Sequence, residues 1–127
     1  MNNMRPAIEE KRRYKRLESV VPLQYRNLKK SAEVSKGSLT KNIGEGGICF
    51  KTSEFISLAC RLVIELELPA VPKPIKAISK VAWIRKLPTA NLYEIGNQFL
   101  EMSKEDKKSV INFIEESLNI NSPAKIL

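Results

Sequence analysis

Two stretches of this chain carry groups suited to holding an anion or a flat heterocycle. The run KRRYKR, residues 11–16, places Arg12 and Arg16 four residues apart with Arg13 between them. A guanidinium keeps its charge at any physiological pH. Its planar fork can grip a phosphate bidentately, pair with guanine O6 and N7, or stack on a purine. Further along, KNIGEGGICF, residues 41–50, contains three of the five glycines in the chain. Within it Asn42, Gly44 and Gly47 follow an Asn-x-Gly-x-x-Gly spacing. The Asn42 amide offers both a donor and an acceptor, and a glycine admits close backbone approach. Each stretch also has a plain reading. KRRYKR could be a solvated basic tail or a helix start, and the glycines could supply positive φ in a hairpin.

Other chemistries find little support. The chain has no histidine, which removes the commonest general base and metal ligand. No Gly-x-Ser-x-Gly elbow is present. The carboxylates fall in alternating or helical patterns that suit solvent-facing positions. Cys49 and Cys60 lack metal-site spacing and make no disulfide framework, so both read as reduced thiols in or near a core. No catalytic residue, metal or cofactor is expected. No apolar run approaches the ~20 residues needed to cross a bilayer. The N-terminus has no apolar signal core, so a cytoplasmic setting is expected. The net charge of +8 on 127 residues points to an anionic partner: nucleic acid, acidic lipid, a nucleotide or an acidic protein.

The elements that must position these groups are mostly strands. Val21, Leu23 and Tyr25 alternate with Pro22, Gln24 and Arg26, and Pro22 belongs at an edge or a bulge. A turn with a short strand around Ala32 to Val34 follows. Gly37 to Asn42 and Gly47 to Thr52 form two strands joined through the glycine-rich stretch, with Ile48 and Phe50 on one face. Arg61 to Leu68 sets Leu62, Ile64, Leu66 and Leu68 against Glu65 and Glu67. Pro69, Pro72 and Pro74 close it. Val81 and Trp83 share a two-residue spacing, and Tyr93, Ile95 and Phe99 alternate with Glu94 and Gln98. Trp83, Tyr93 and Phe99 are therefore assigned to the core. At the end the period changes: Ser103 and Asp106 form a capping signal, and Val110, Ile111, Phe113, Ile114 and Leu118 repeat at helical spacing. The expectation is an all-β core, a small antiparallel barrel or sandwich, with one C-terminal helix.

Taken in order, Arg12-x-x-x-Arg16, Asn42-x-Gly44-x-x-Gly47, Leu66-Glu67-Leu68-Pro69, Val81-Ala82-Trp83 and Tyr93 to Phe99 resemble the PilZ domain family of bacterial cyclic diguanylate receptors. The resemblance runs from about Glu10 to Leu118. It implies a six-stranded antiparallel PilZ-type β-barrel. It also implies a ligand site drawn from Arg12, Arg13, Arg16, Asn42, Gly44 and Gly47. Arg12 and Arg16 match the family's paired arginines, Asn42 matches its Asp/Asn position, and Gly47 matches its glycine. The family has serine where this chain has Gly44. A missing hydroxyl costs about 0.5–1.5 kcal/mol, so weakened binding is expected.

The domain organisation that follows is a flexible tail over 1–9, a PilZ domain over 10–119 and a tail over 120–127. Within the domain, 10–16 is the arginine segment, 17–102 the barrel and 103–119 the helix. The function implied is a cytoplasmic cyclic diguanylate sensor or adaptor, not an enzyme. It would change conformation on binding and signal through an unidentified effector protein, as a monomer or a ligand-linked dimer. Two alternatives stand beside it. One is a degenerate PilZ interaction module that has given up the nucleotide, favoured by Gly44. The other is a basic nucleic-acid-binding barrel, disfavoured because aromatics make up only 6% of the residues.

Overall fold

The computed structural model of the chain describes residues 16–30 and 34–120. Seven strands and one helix follow one another: β1 (Arg16–Glu18), β2 (Pro22–Asn27), β3 (Lys36–Gly44), β4 (Gly47–Thr52), β5 (Arg61–Leu66), β6 (Ile75–Lys86), β7 (Tyr93–Met102) and α1 (Lys104–Ile120). All pairings are antiparallel. The sheet runs β1-β3-β2-β5-β6-β7-β4, and a β3–β4 pairing closes six of the strands into a barrel. Closure removes the exposed edges an open sheet of this size would present. The six-stranded barrel with a C-terminal helix is thus the fold the sequence led one to expect, with β1 as an added strand.

β3 is the strand on which closure depends. Its first half pairs with β2 (Pro22 opposite Leu39, Tyr25 opposite Lys36) and its second half with β1 (Arg16 opposite Gly44, Glu18 opposite Asn42). Its other side holds β4. β1 and β2 therefore run in succession along one side of β3, with a break between them at Ser19 to Val21. A break strands backbone groups that must find partners, and Thr40 supplies them. Its N–H donates to the Val21 carbonyl at 3.0 Å. Its hydroxyl accepts from the Val21 N–H at 2.9 Å and donates to the Ser19 carbonyl. Pro22 corrects one expectation. It opens β2, a strand paired on both sides, and lies at neither an edge nor a bulge. At the first position its missing N–H is tolerated, while its carbonyl accepts from the Glu67 N–H at 3.0 Å.

The alternation seen in the sequence becomes the inside and outside of the barrel. Leu23, Tyr25, Ile43, Ile48, Phe50, Leu62, Ile64, Leu66, Ile75, Val81 and Ile95 fill the interior. The Tyr25 and Phe50 rings meet at a centroid distance of 5.0 Å. The Tyr25 hydroxyl, buried with them, is satisfied by Thr52 Oγ1 at 2.7 Å. α1 adds Val110 and Ile114, four residues apart and both buried, to the same core. Each contributes roughly 1.5–3 kcal/mol relative to exposure. Ser103 caps the helix by accepting from the Asp106 N–H at 3.0 Å. The Asp106 carboxylate turns outward from the cap and accepts from the Lys76 N–H of β6 at 3.1 Å, which ties the helix to the sheet.

Of the short strand expected around Ala32 to Val34, residues 32 and 33 lie outside the described residues. Val34 is exposed and outside any strand. None of the described glycines has positive φ, so the glycine-rich stretch does not turn by that route; Ala59 (67°) and Ala70 (66°) occupy that region instead. β5 ends at Leu66, although Leu68 remains buried beyond it.

Candidate ligand-binding site

Register places a row of short side chains across four neighbouring strands on the outer wall of the barrel. Asn42 of β3 faces Cys49 of β4, Cys49 faces Gly96 of β7, and Gly96 faces Trp83 of β6. One step along, Arg16 of β1 faces Gly44 of β3, and Gly47 of β4 faces Gln98 of β7. Directly paired residues share a face of the sheet, so these groups converge. They line a cleft of about 290 Å³ together with Gly46, Ile48, Ala82 and Asn97. The floor is low because it is made of glycine and cysteine. A Cβ on Gly47 would collide with the Asn97 carbonyl, so β4 and β7 can lie this close only without one.

Trp83 departs from the expected core position. It is 39% exposed, while Val81, two residues earlier, is 1% exposed. The cause is a bulge: Val81 pairs with Asn97 and Trp83 with Gly96, so Ala82 is an extra residue in β6. An extra residue inverts the alternation beyond it and turns the indole outward. There it lies over Gly96, whose hydrogen leaves room that any Cβ would fill. The result is a flat, partly exposed aromatic face at one side of the cleft, with the Arg16 guanidinium belonging to the other. Tyr93 is half-buried and meets Phe55 edge-on at 5.7 Å, and Phe99 packs against the core.

Beside the floor row lies a charged one. Lys41 is the extra residue of a bulge in β3, between the pairings of Thr40 and Asn42. Its Nζ reaches over β4 to Glu94 Oε2 at 2.9 Å, while Arg85 Nη2 holds the other carboxylate oxygen. Glu94 was expected to face solvent. Instead its side chain is 3% exposed, covered by these two cations. Burial alone would push the carboxyl up. The hydrogen bonds from Lys41 and Arg85 outweigh burial and hold it below the usual carboxylate range. The same bond with Glu94 raises Lys41. At the floor, burial, followed by the nearby Glu94 charge, pushes the Cys49 thiol up to about 11. Cys49 is therefore a neutral floor group at physiological pH and not a nucleophile.

The structure brings Arg16, Asn42, Gly44 and Gly47 to one cleft. Arg12 and Arg13 lie outside the described residues. Trp83, assigned to the core from the sequence, joins the cleft together with Gly96 and Gln98, and none of the three was among the expected site residues. A tryptophan paired with a glycine across two strands was the available signal; the bulge that exposes it leaves no mark in simple alternation. The arrangement offers an aromatic face, a guanidinium, an amide and a glycine floor that permits close approach. That set can hold a planar base together with an anionic group. Among the described residues no group of three or more His, Cys, Asp or Glu is placed to hold a metal ion. No helix among them is long and apolar enough to cross a membrane.

Comparison with solved structures returns the same fold. The PilZ domain of Escherichia coli YcgR, solved with c-di-GMP, superposes with a TM-score of 0.66 at 17% identity, covering 91% of this chain and 97% of that one. The Bacillus subtilis inhibitor of motility, MotI/DgrA, gives a TM-score of 0.70 at 22% identity, covering 86% of this chain and 52% of that one. The MrkH–c-di-GMP complex of Klebsiella pneumoniae gives 0.64 at 17% identity, with 85% and 52% covered. This chain thus spans about half the length of the MotI and MrkH chains. No curated protein matches it significantly in sequence. The model of the PilZ domain family matches residues 10–116, and the chain belongs to that family.

Proposed function

We propose that the protein is a cytoplasmic cyclic diguanylate sensor that passes its state to an effector protein. One observation carries this reading: Arg16, Asn42, Gly44 and Gly47, drawn from three strands, meet in one cleft beside an outward-turned Trp83. Cyclic diguanylate has two guanines and two phosphodiesters, and the cleft has a counterpart for each. The indole offers a stacking surface and the Asn42 amide a partner for a guanine edge. Arg16 offers a bidentate partner for phosphate or guanine. Gly47 and Gly96 keep the floor low enough for the ligand to approach the backbone.

Arg12 and Arg13 precede β1 by only a few residues. At up to ~3.5 Å per residue the chain from Arg16 lets them reach a ligand in the cleft. Residues 10–16 supply the arginines in this reading, and their engagement with the nucleotide is the event that the effector reads. The protein binds its ligand without transforming it, as a monomer or a ligand-linked dimer. Solved relatives with c-di-GMP bound, the YcgR domain and MrkH, support the reading. Titration of the protein with cyclic diguanylate, in wild type and in Arg16→Ala, tests it: saturable binding that the substitution weakens is expected.

A second reading, a PilZ module without nucleotide, rests on Gly44. The glycine removes one hydroxyl from the cleft and leaves the arginines and Asn42 in place. A loss of that size weakens a site without erasing it.

A further inference from the structure

Next to the cleft, the outer faces of β2, β5 and β6 carry a strip of three cations in neighbouring rows, Arg26, Arg61 and Lys80. Arg61 of β5 stands directly opposite Lys80 of β6. Arg26 of β2, facing Val63 one row along, is the diagonal neighbour of Arg61. All three point outward, since Tyr25, Leu62 and Ser79 beside them are the buried positions. Among the described residues none of the three forms an ion pair. Like charges placed directly opposite across a sheet repel each other. The fold therefore holds a repulsion here that an anionic surface would relieve.

We infer that this strip is the docking surface for an acidic patch on a partner protein. Its rest on the adaptor reading is confined to the link with nucleotide: Lys80 stands opposite Gln98, which lines the cleft, so a docked partner would border the ligand. The chemistry of the surroundings selects a protein over other polyanions. Between Arg26 and the Arg61–Lys80 pair lies the partly exposed Ile78, next to the buried Val63. The carboxylates Glu65 and Glu101 border the same face, Glu101 opposite Ile78. A uniformly negative bilayer or nucleic-acid backbone would be repelled by those carboxylates. A protein surface of mixed sign with an acidic centre can answer both. No aromatic side chain lies on these rows for a base to stack on.

The test uses the full chain and a fluorescein-labelled peptide alternating glutamate with leucine, read by anisotropy. The double variant R61E/K80E is compared with K107E/K108E on α1, which changes net charge equally and so controls for the overall field. The inference expects R61E/K80E to weaken the peptide by about tenfold or more and K107E/K108E to leave it nearly unchanged. The neutral R61Q/K80Q should fall between. The circular dichroism and melting temperature of R61E/K80E should match wild type, which confirms folding. The single variant R61E, one strand further from Gln98, should leave cyclic diguanylate titration unchanged, which separates this test from that of the nucleotide site. Equal losses in both double variants, or no loss in either, would overturn the inference. So would strip-dependent binding to phosphatidylserine vesicles or to an oligonucleotide in preference to the peptide.

Discussion

The indole of Trp83 lies against the bare backbone of Gly96, in a space that a single methyl at position 96 would occupy. This pairing makes the aromatic wall of the cleft, and it makes that wall testable. Trp83 is the only tryptophan in the chain, so its fluorescence should respond to ligand. Trp83→Ala should remove stacking worth about 1–3 kcal/mol, roughly 5- to 150-fold in affinity. Thermal stability should change little, because the ring is partly exposed. Gly96→Ala should weaken binding by displacing the ring and should also lower the melting temperature. Unchanged affinity in both variants would remove Trp83 from the site.

Gly44 stands where the resemblance to the PilZ pattern implies a serine. Restoring the hydroxyl with Gly44→Ser adds one donor and acceptor at the cleft lining, beside Arg16. The expected gain is about 0.5–1.5 kcal/mol, up to roughly tenfold tighter binding by calorimetry. A weaker Gly44→Ser protein would mean that the glycine backbone itself is what the ligand meets.

Glu94, held by Lys41 and Arg85, gives the fold a pH dependence whose sign is set by the pKa directions. Its carboxyl is lowered, so the stability it contributes is present above about 4.5 and is lost as pH falls through its lower folded value. Lys41 is raised, so its share is complete below 10.5 and lost only in stronger base. Both cations are substantially exposed, which screens the pairing. Glu94→Gln should therefore cost only about 1 kcal/mol at neutral pH. In urea unfolding the gap from wild type should narrow as pH falls below about 4.5 and close once Glu94 is protonated in the folded protein. A gap that stays constant with pH would show that the loss is one of packing.

Cys49 lies at the cleft floor with its thiol pushed up to about 11. In a Cys60→Ala background, iodoacetamide should modify the native protein very slowly at neutral pH, because the thiolate is scarce and the sulfur buried. Bound cyclic diguanylate should slow it further. Rapid alkylation, followed by mass spectrometry, would contradict this placement.

Much of this was legible in the residues because most strands obey a period of two. Leu62, Ile64 and Leu66 announced one barrel wall, and Val110 with Ile114 announced the C-terminal helix. The legibility ended where period and register part company. Ala82 and Lys41 are bulge residues, visible only once two strands are paired, and each redirects a functional group: Trp83 outward, and the Lys41 ammonium across β4 to Glu94. Glu94 looked solvated because its burial is provided by side chains from two other strands. The family motif pointed to Asn42 and Gly47, but the reason for Gly47, the Asn97 carbonyl beneath it, belongs to the packing of β4 on β7.

The central claim is tested most directly by calorimetric titration of the full chain with cyclic diguanylate at physiological salt, with GTP as the control ligand. Saturable binding, micromolar or tighter, that GTP does not reproduce and that Arg16→Ala weakens about tenfold or more is the predicted result. Failure of the folded protein to saturate at high ligand concentration would contradict it and leave the cleft without its nucleotide.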